Sequence, residues 1–145
     1  MVAAQWFSFE TSSMTTRVDL EFWLEDQSAA LNIKRQVFDE FSRVESKMSR
    51  YDLSSELSKV NKYAGKRPVA VSEELFNMLD QAKQVSVLSD GAFDISFASV
   101  GYLYDFRGAV KPDEQTILSK ISSVNFQHVR LDRIDKTVSF SLPGV

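Results

Sequence analysis

The chain has no cysteine among its 145 residues. That excludes disulfides, thiolate metal sites, thiol nucleophiles and the lipid-bearing cysteine of a bacterial lipoprotein. Its five glycines form neither a G-x-G-x-x-G nor a P-loop arrangement, so the common backbone cradle for a pyrophosphate is missing. The single histidine, His128, falls in a segment that reads as a strand, where a structural role is expected. No H-E-x-x-H, G-x-S-x-G or Ser-His-Asp set can be assembled. No apolar run is long enough to span a membrane. Residues Met1 to Glu10 have neither a basic nor an apolar leader region, and so do not read as a signal peptide. Basic and acidic residues are mixed, with a net charge of −3 and no Lys/Arg cluster, which argues against nucleic acid as a partner.

What is present suits a packed globular chain: 43% hydrophobic and 26% charged residues lie outside the disordered range. The length is that of a single domain, with no linker, repeat or low-complexity segment. Trp6, Phe7 and Phe9 form a short extended run that should break at Thr11-Ser12-Ser13. Val18, Leu20, Phe22 and Leu24 then alternate with polar residues or Trp23, the period of a half-buried strand. Asp26 or Ser28 can cap a long amphipathic helix with Ala30, Ile33, Val37, Phe41, Val44 and Met48 on its apolar face.

The chain should leave that helix at Ser49-Arg50-Tyr51-Asp52. Ser54 can cap a short helix with Leu57 and Val60, ending near Asn61. A loop around Gly65 leads into extended Val69-Ala70-Val71. Ser72, followed by Glu73 and Glu74, starts a second long helix with acids where its dipole favours them. Its predicted apolar stripe is Leu75, Met78, Leu79, Ala82 and Val85, and its exit lies between Ser89 and Gly91. Ala92 to Arg107 carries Phe93, Phe97, Tyr102, Tyr104 and Phe106 without a clean period. Pro112 and Asp113 open a third helix, and Val129–Leu131 with Val138–Leu142 read as a hairpin. Strands at both ends with three main helices between predict an α+β fold with an antiparallel sheet. From composition and spacing alone, the role stays open.

Three ordered stretches resemble a known family. Met14-Thr15-Thr16 enters a strand. Ser49-Arg50-Tyr51-Asp52-Leu53-Ser54-Ser55-Glu56-Leu57-Ser58-Lys59-Val60-Asn61 follows a long helix. Ser89-Asp90-Gly91-Ala92-Phe93-Asp94-Ile95 follows another. Together they are similar to the M-G-T, S-x-Y-x-x-x-S-x-L-x-x-x-N and T-D-G-A-F-D stretches of the ApbE family, the FAD:protein FMN transferases. Two features depart from that pattern. Thr15 stands where the family has glycine, and Ser96 to Phe106 replaces its G-P-L-V-N-L-W-G-like run.

The resemblance implies a fold and an activity. Residues 1–145 would be the N-terminal half of an ApbE-like domain, with the C-terminal half absent from this chain. The reaction would move FMN from FAD to a Thr or Ser hydroxyl of an acceptor flavoprotein, with magnesium. This chain would supply recognition of the flavin ring through Met14, Tyr51, Ala92, Phe93 and Asp94. Tyr51 would stack on the isoalloxazine, and tyrosine there looks like the transferase form. Ser54, Leu57 and Asn61 would fix the turn that presents Tyr51, while Tyr102 and Tyr104 read equally as pocket rim or core. No catalytic residue or metal ligand can be named in the chain, and the magnesium ligands are expected in the C-terminal half. That half, or a second chain, is an expected partner. Two alternatives stay open: an FAD pyrophosphatase giving FMN and AMP, and a non-catalytic flavin-binding module. The family points to the periplasm, although no leader or lipobox cysteine is read here.

Overall fold

The structure, a computed structural model, describes residues 4–105 and 108–145. Phe106, named above among the aromatics, lies outside them. The fold is α+β, with antiparallel pairing in both sheets found. The chain forms two compact units, one up to Ser55 and one from Glu56.

The first unit is a hairpin with a helix. Strand β1 (Gln5–Ser13) pairs with β2 (Thr16–Leu24) along their whole length, from Gln5 opposite Leu24 to Ser13 opposite Thr16. Thr11-Ser12-Ser13 does not break β1. Ser13 is buried in the last rung, and its hydroxyl donates to Glu45 Oε2 at 2.9 Å, a tertiary partner that keeps the segment extended. The turn is instead Met14-Thr15, both at positive φ (50° and 64°). Such mirror-image two-residue turns match the twist of the strands they join, and glycine or asparagine normally fills them. On one hairpin face the Phe7 ring stacks on Phe9 and Phe22 at 6.4 and 5.9 Å, and Phe9 meets Phe22 tilted at 6.1 Å. Helix α1 (Gln27–Met48) packs here, with Lys34 Nζ 5.1 Å from the Phe9 ring centroid. Asp26 caps α1 by accepting from the Ser28 and Ala29 amides.

The second unit holds helices α2 (Glu56–Tyr63), α3 (Glu73–Leu88), α4 (Ala98–Gly101) and α5 (Glu114–Ile121). Its three-stranded antiparallel sheet has the order β3 (Val69–Ala70), β5 (Thr137–Phe140), β4 (Val129–Asp132). Val60, Ala64, Val69, Leu75, Leu79, Val129 and Val138 form the buried core. Ser54, the expected cap of α2, instead gives its hydroxyl to Asp52 Oδ1 at 2.7 Å, and α2 runs two residues past Asn61. Ser72 does cap α3 and Asp113 caps α5.

The buried face of α3 is rotated from the predicted stripe. Leu75, Phe76, Leu79 and Ser86 are buried, while Met78 and Val85 are exposed. Burying the Phe76 ring removes more apolar surface from water than burying either of them would. The exit of α3 is a Schellman motif. Asp90 takes the left-handed conformation (φ 49°), and the Gly91 amide reaches back to Ser86 O at 2.8 Å. His128 is not on a strand. It ends a short 3-10 turn (Phe126–His128), with Nδ1 2.9 Å from Ser141 Oγ.

Candidate functional site

The candidate flavin contacts fall into two groups, one in each unit. Met14 and Tyr51 belong to the first. The hairpin turn holds Met14 half-exposed, and it lines an apolar groove of about 360 Å³ along α1 with Val37, Phe41 and Val44. An apolar thioether beside such a groove suits contact with a flat aromatic body.

Tyr51 sits in the loop after α1. That loop is tied by its own hydroxyls and carboxylate. Ser55 Oγ, in a residue 2% exposed, donates to Ser49 O at 2.6 Å. The Tyr51 amide donates to Ser49 Oγ at 3.2 Å. Asp52 Oδ1 accepts from the Ser54 amide and hydroxyl at 2.8 and 2.7 Å. These bonds fix the backbone while the Tyr51 ring is 72% exposed. The Arg50 guanidinium lies over the ring, 4.5 Å from its centroid, and hydrogen bonds to its hydroxyl. A planar cation on one face leaves the geometry for a planar ligand on the other.

Ala92, Phe93 and Asp94 follow the α3 exit in the second unit. Ala92 and Phe93 are exposed, and the Phe93 amide donates to Ser89 Oγ at 3.0 Å. Asp94 is half-buried and points inward to protein partners. Its Oδ1 accepts from the Ser96 amide (2.8 Å) and hydroxyl (2.6 Å), and its Oδ2 from the Phe126 amide (2.8 Å). The structure thus brings Ala92, Phe93 and Asp94 together in one turn and Met14 onto α1.

Sequence reasoning missed a further feature of this unit. A cavity of about 420 Å³ is lined by apolar side chains from α2, α3 and the sheet, with Ser96, Ser99, Asn61 and Tyr102 as its polar groups. Asn61 Nδ2 donates to the Tyr102 hydroxyl at 3.0 Å, placing Tyr102 on the wall of this cavity. Asn61 was expected to support Tyr51; its hydrogen bond to a residue 41 positions away carried no local signal. No helix among the described residues is long and apolar enough to cross a membrane.

The ApbE family model matches residues 14–145. The FAD:protein FMN transferase of Klebsiella pneumoniae is 26% identical over 141 residues, 96% of this chain and 43% of that protein. The same-named protein of Vibrio cholerae is 25% identical over 104 residues, 69% of this chain and 30% of that protein. Among solved structures, the flavin transferase ApbE from Vibrio cholerae superposes with a TM-score of 0.83 at 21% identity, over 98% of this chain and 47% of that one. The ApbE protein from Thermotoga maritima gives 0.82 at 21% identity, over 97% and 46%. The chain therefore spans less than half the length of the curated relatives it matches.

Proposed function

Because the chain belongs to the ApbE family, we propose that it is a flavin-handling part of an FAD:protein FMN transferase and that its task is recognition of the isoalloxazine ring. The observation that carries this reading is the presentation of Tyr51. A large aromatic ring, 72% exposed, is held on a loop whose backbone is fixed by hydrogen bonds among Ser49, Asp52, Ser54 and Ser55. An exposed planar ring on a fixed loop offers stacking area at little further entropic cost, since only two side-chain torsions are left to order. Met14 in the first unit is a further apolar candidate for ring contact; in the second unit Ala92 and Phe93 are separate candidates, and Asp94 closes the turn that carries them.

In the proposed reaction, the hydroxyl oxygen of an acceptor Thr or Ser attacks the flavin-side phosphorus of FAD. A new P–O bond forms, the bond to the AMP oxygen breaks, AMP leaves, and the hydroxyl proton is released. Among the described residues no group of three or more His, Asp or Glu side chains could hold a metal, so no step is assigned to magnesium on this chain. The role of the named residues is to bind and orient the ring. Phosphoryl transfer is largely a matter of such positioning.

The test is titration of FAD into the chain, followed by flavin fluorescence, against Tyr51→Ala. Saturable quenching that the variant loses supports ring recognition; equal quenching by both, or by neither, overturns it. Incubation with FAD, magnesium and a threonine-bearing acceptor peptide then separates the chemistries. FMN mass on the peptide with AMP released supports transfer. Free FMN and AMP without labelling would instead favour the pyrophosphatase.

A further inference from the structure

The segment that carries Ala92 and Phe93 is braced from a distant part of the chain. Ser96 is 4% exposed, and its hydroxyl works in both directions. It donates to Asp94 Oδ1 at 2.6 Å and accepts from the Asn125 amide at 2.8 Å. The next amide, Phe126, donates to Asp94 Oδ2 at 2.8 Å. Two consecutive backbone N–H groups are thus bound by one carboxylate–hydroxyl pair. The Phe126 ring independently reaches the other end of the turn: a Cβ built on Gly91 would lie 3.7 Å from it. A carboxylate offers about four acceptor directions, and three on Asp94 are taken by protein donors.

We infer that Ser96, Asp94 and the Asn125–Phe126 backbone form a latch that positions the Ala92–Phe93 turn. Ser96 is a positioning residue, and Asp94 acts as an internal brace without touching the ligand. The inference rests on the flavin reading above only for what the turn faces. The latch itself is a property of the free protein.

The experiment compares the full chain with Ser96→Ala, Asp94→Asn and the double variant. In Asp94→Asn the side-chain carbonyl can still serve Ser96, while its NH2 faces the Phe126 amide. Without ligand, both single variants speed hydrogen exchange at the Phe93, Asn125 and Phe126 amides about tenfold more than at Leu131 and Val138 in the sheet. Continued protection of the sheet amides shows that the variants are folded. With FAD as probe, each single variant binds about five- to tenfold more weakly. The double variant is no weaker than the poorer single one to within about twofold, because both changes open one latch. The visible spectrum of bound flavin in Asp94→Asn stays that of the wild type.

Unchanged exchange at Phe93 in Ser96→Ala overturns the latch. Wild-type affinity in Ser96→Ala, with about tenfold weaker binding and a shifted flavin spectrum in Asp94→Asn, overturns it too, because the carboxylate then meets the ring. If the wild-type chain binds no FAD while exchange responds as expected, the flavin reading falls and the latch stands.

Discussion

The loop from Ser49 to Ser55 and the turn from Ser89 to Ser96 each present an aromatic side chain to solvent, and they are built in opposite ways. The first carries short-range bonds among its own seven residues, from Tyr51 to Ser49, Ser54 to Asp52 and Ser55 to Ser49. The second is held by donors 29 and 32 residues away, at Asn125 and Phe126. In the first, the aspartate lies in an exposed network of short-range bonds. In the second, the aspartate joins a buried serine to a remote strand entry. A loop with short-range bonds of its own keeps part of its shape when a distant segment is altered. A latched turn shares its stability with the whole unit, so changes there act on fold and binding together.

The largest expected effect separates the two aspartates. Asp94→Ala removes the acceptor for three donors and strands the Phe126 amide, which should cost about 2–3 kcal/mol in urea unfolding. Asp52→Ala, in the exposed loop, should cost under about 1 kcal/mol. Equal costs would dissolve the distinction.

Tyr51→Ala should behave in the converse way. It should weaken FAD binding at least about tenfold, or about 1.4 kcal/mol, while changing stability by no more than about 0.5 kcal/mol. A stability loss comparable to that of Asp94→Ala would mean that the ring is part of the core.

A smaller effect is expected at the hairpin turn. Thr15 is β-branched and sits at φ 64°. Thr15→Gly relieves that conformation while making the unfolded chain more flexible. The net gain should be about 0.5–1 kcal/mol in thermal unfolding. A loss would show that the threonine side chain supports the turn.

The smallest effect concerns a cap outside both regions. The Thr116 hydroxyl, and then its amide, hold the Asp113 carboxyl below its ordinary value. A depressed acid stabilises the fold above its unfolded pKa, and that contribution is lost as pH falls through the folded pKa. Amide protection at Thr116 should therefore fall in acid below the usual carboxylate range, and Asp113→Asn should remove that dependence. Retention of the pH dependence in the variant would place the titrating group elsewhere.

Much of this molecule was readable before folding. Val18, Leu20, Phe22 and Leu24 announced β2 by their alternation, and all four are half-buried on it. Ser72 and Asp113 cap the helices they precede because a side-chain oxygen meets an amide three residues on. The two motif loops were found by residue order, and Tyr51 lies in a loop after α1 as expected. What failed has a common cause. Thr11-Ser12-Ser13 looked like a break, yet Ser13 finds Glu45, 32 residues away. Ser54 looked like a cap, yet Asp52 competes for its hydroxyl. Met78 and Val85 fit the helical period of α3, yet the core takes Phe76.

The sequence by itself determined the order of the main elements, the caps of α1, α3 and α5 and the family to which the chain belongs, because periodicity, capping and ordered motifs act over a few positions. Only the tertiary structure decided which serines are buried, which face of α3 packs, and that Asp94 turns inward to Ser96 and Phe126. Those choices depend on partners brought together across long loops. Their closure carries an entropic cost that only the assembled core repays, so no local pattern along the chain records them.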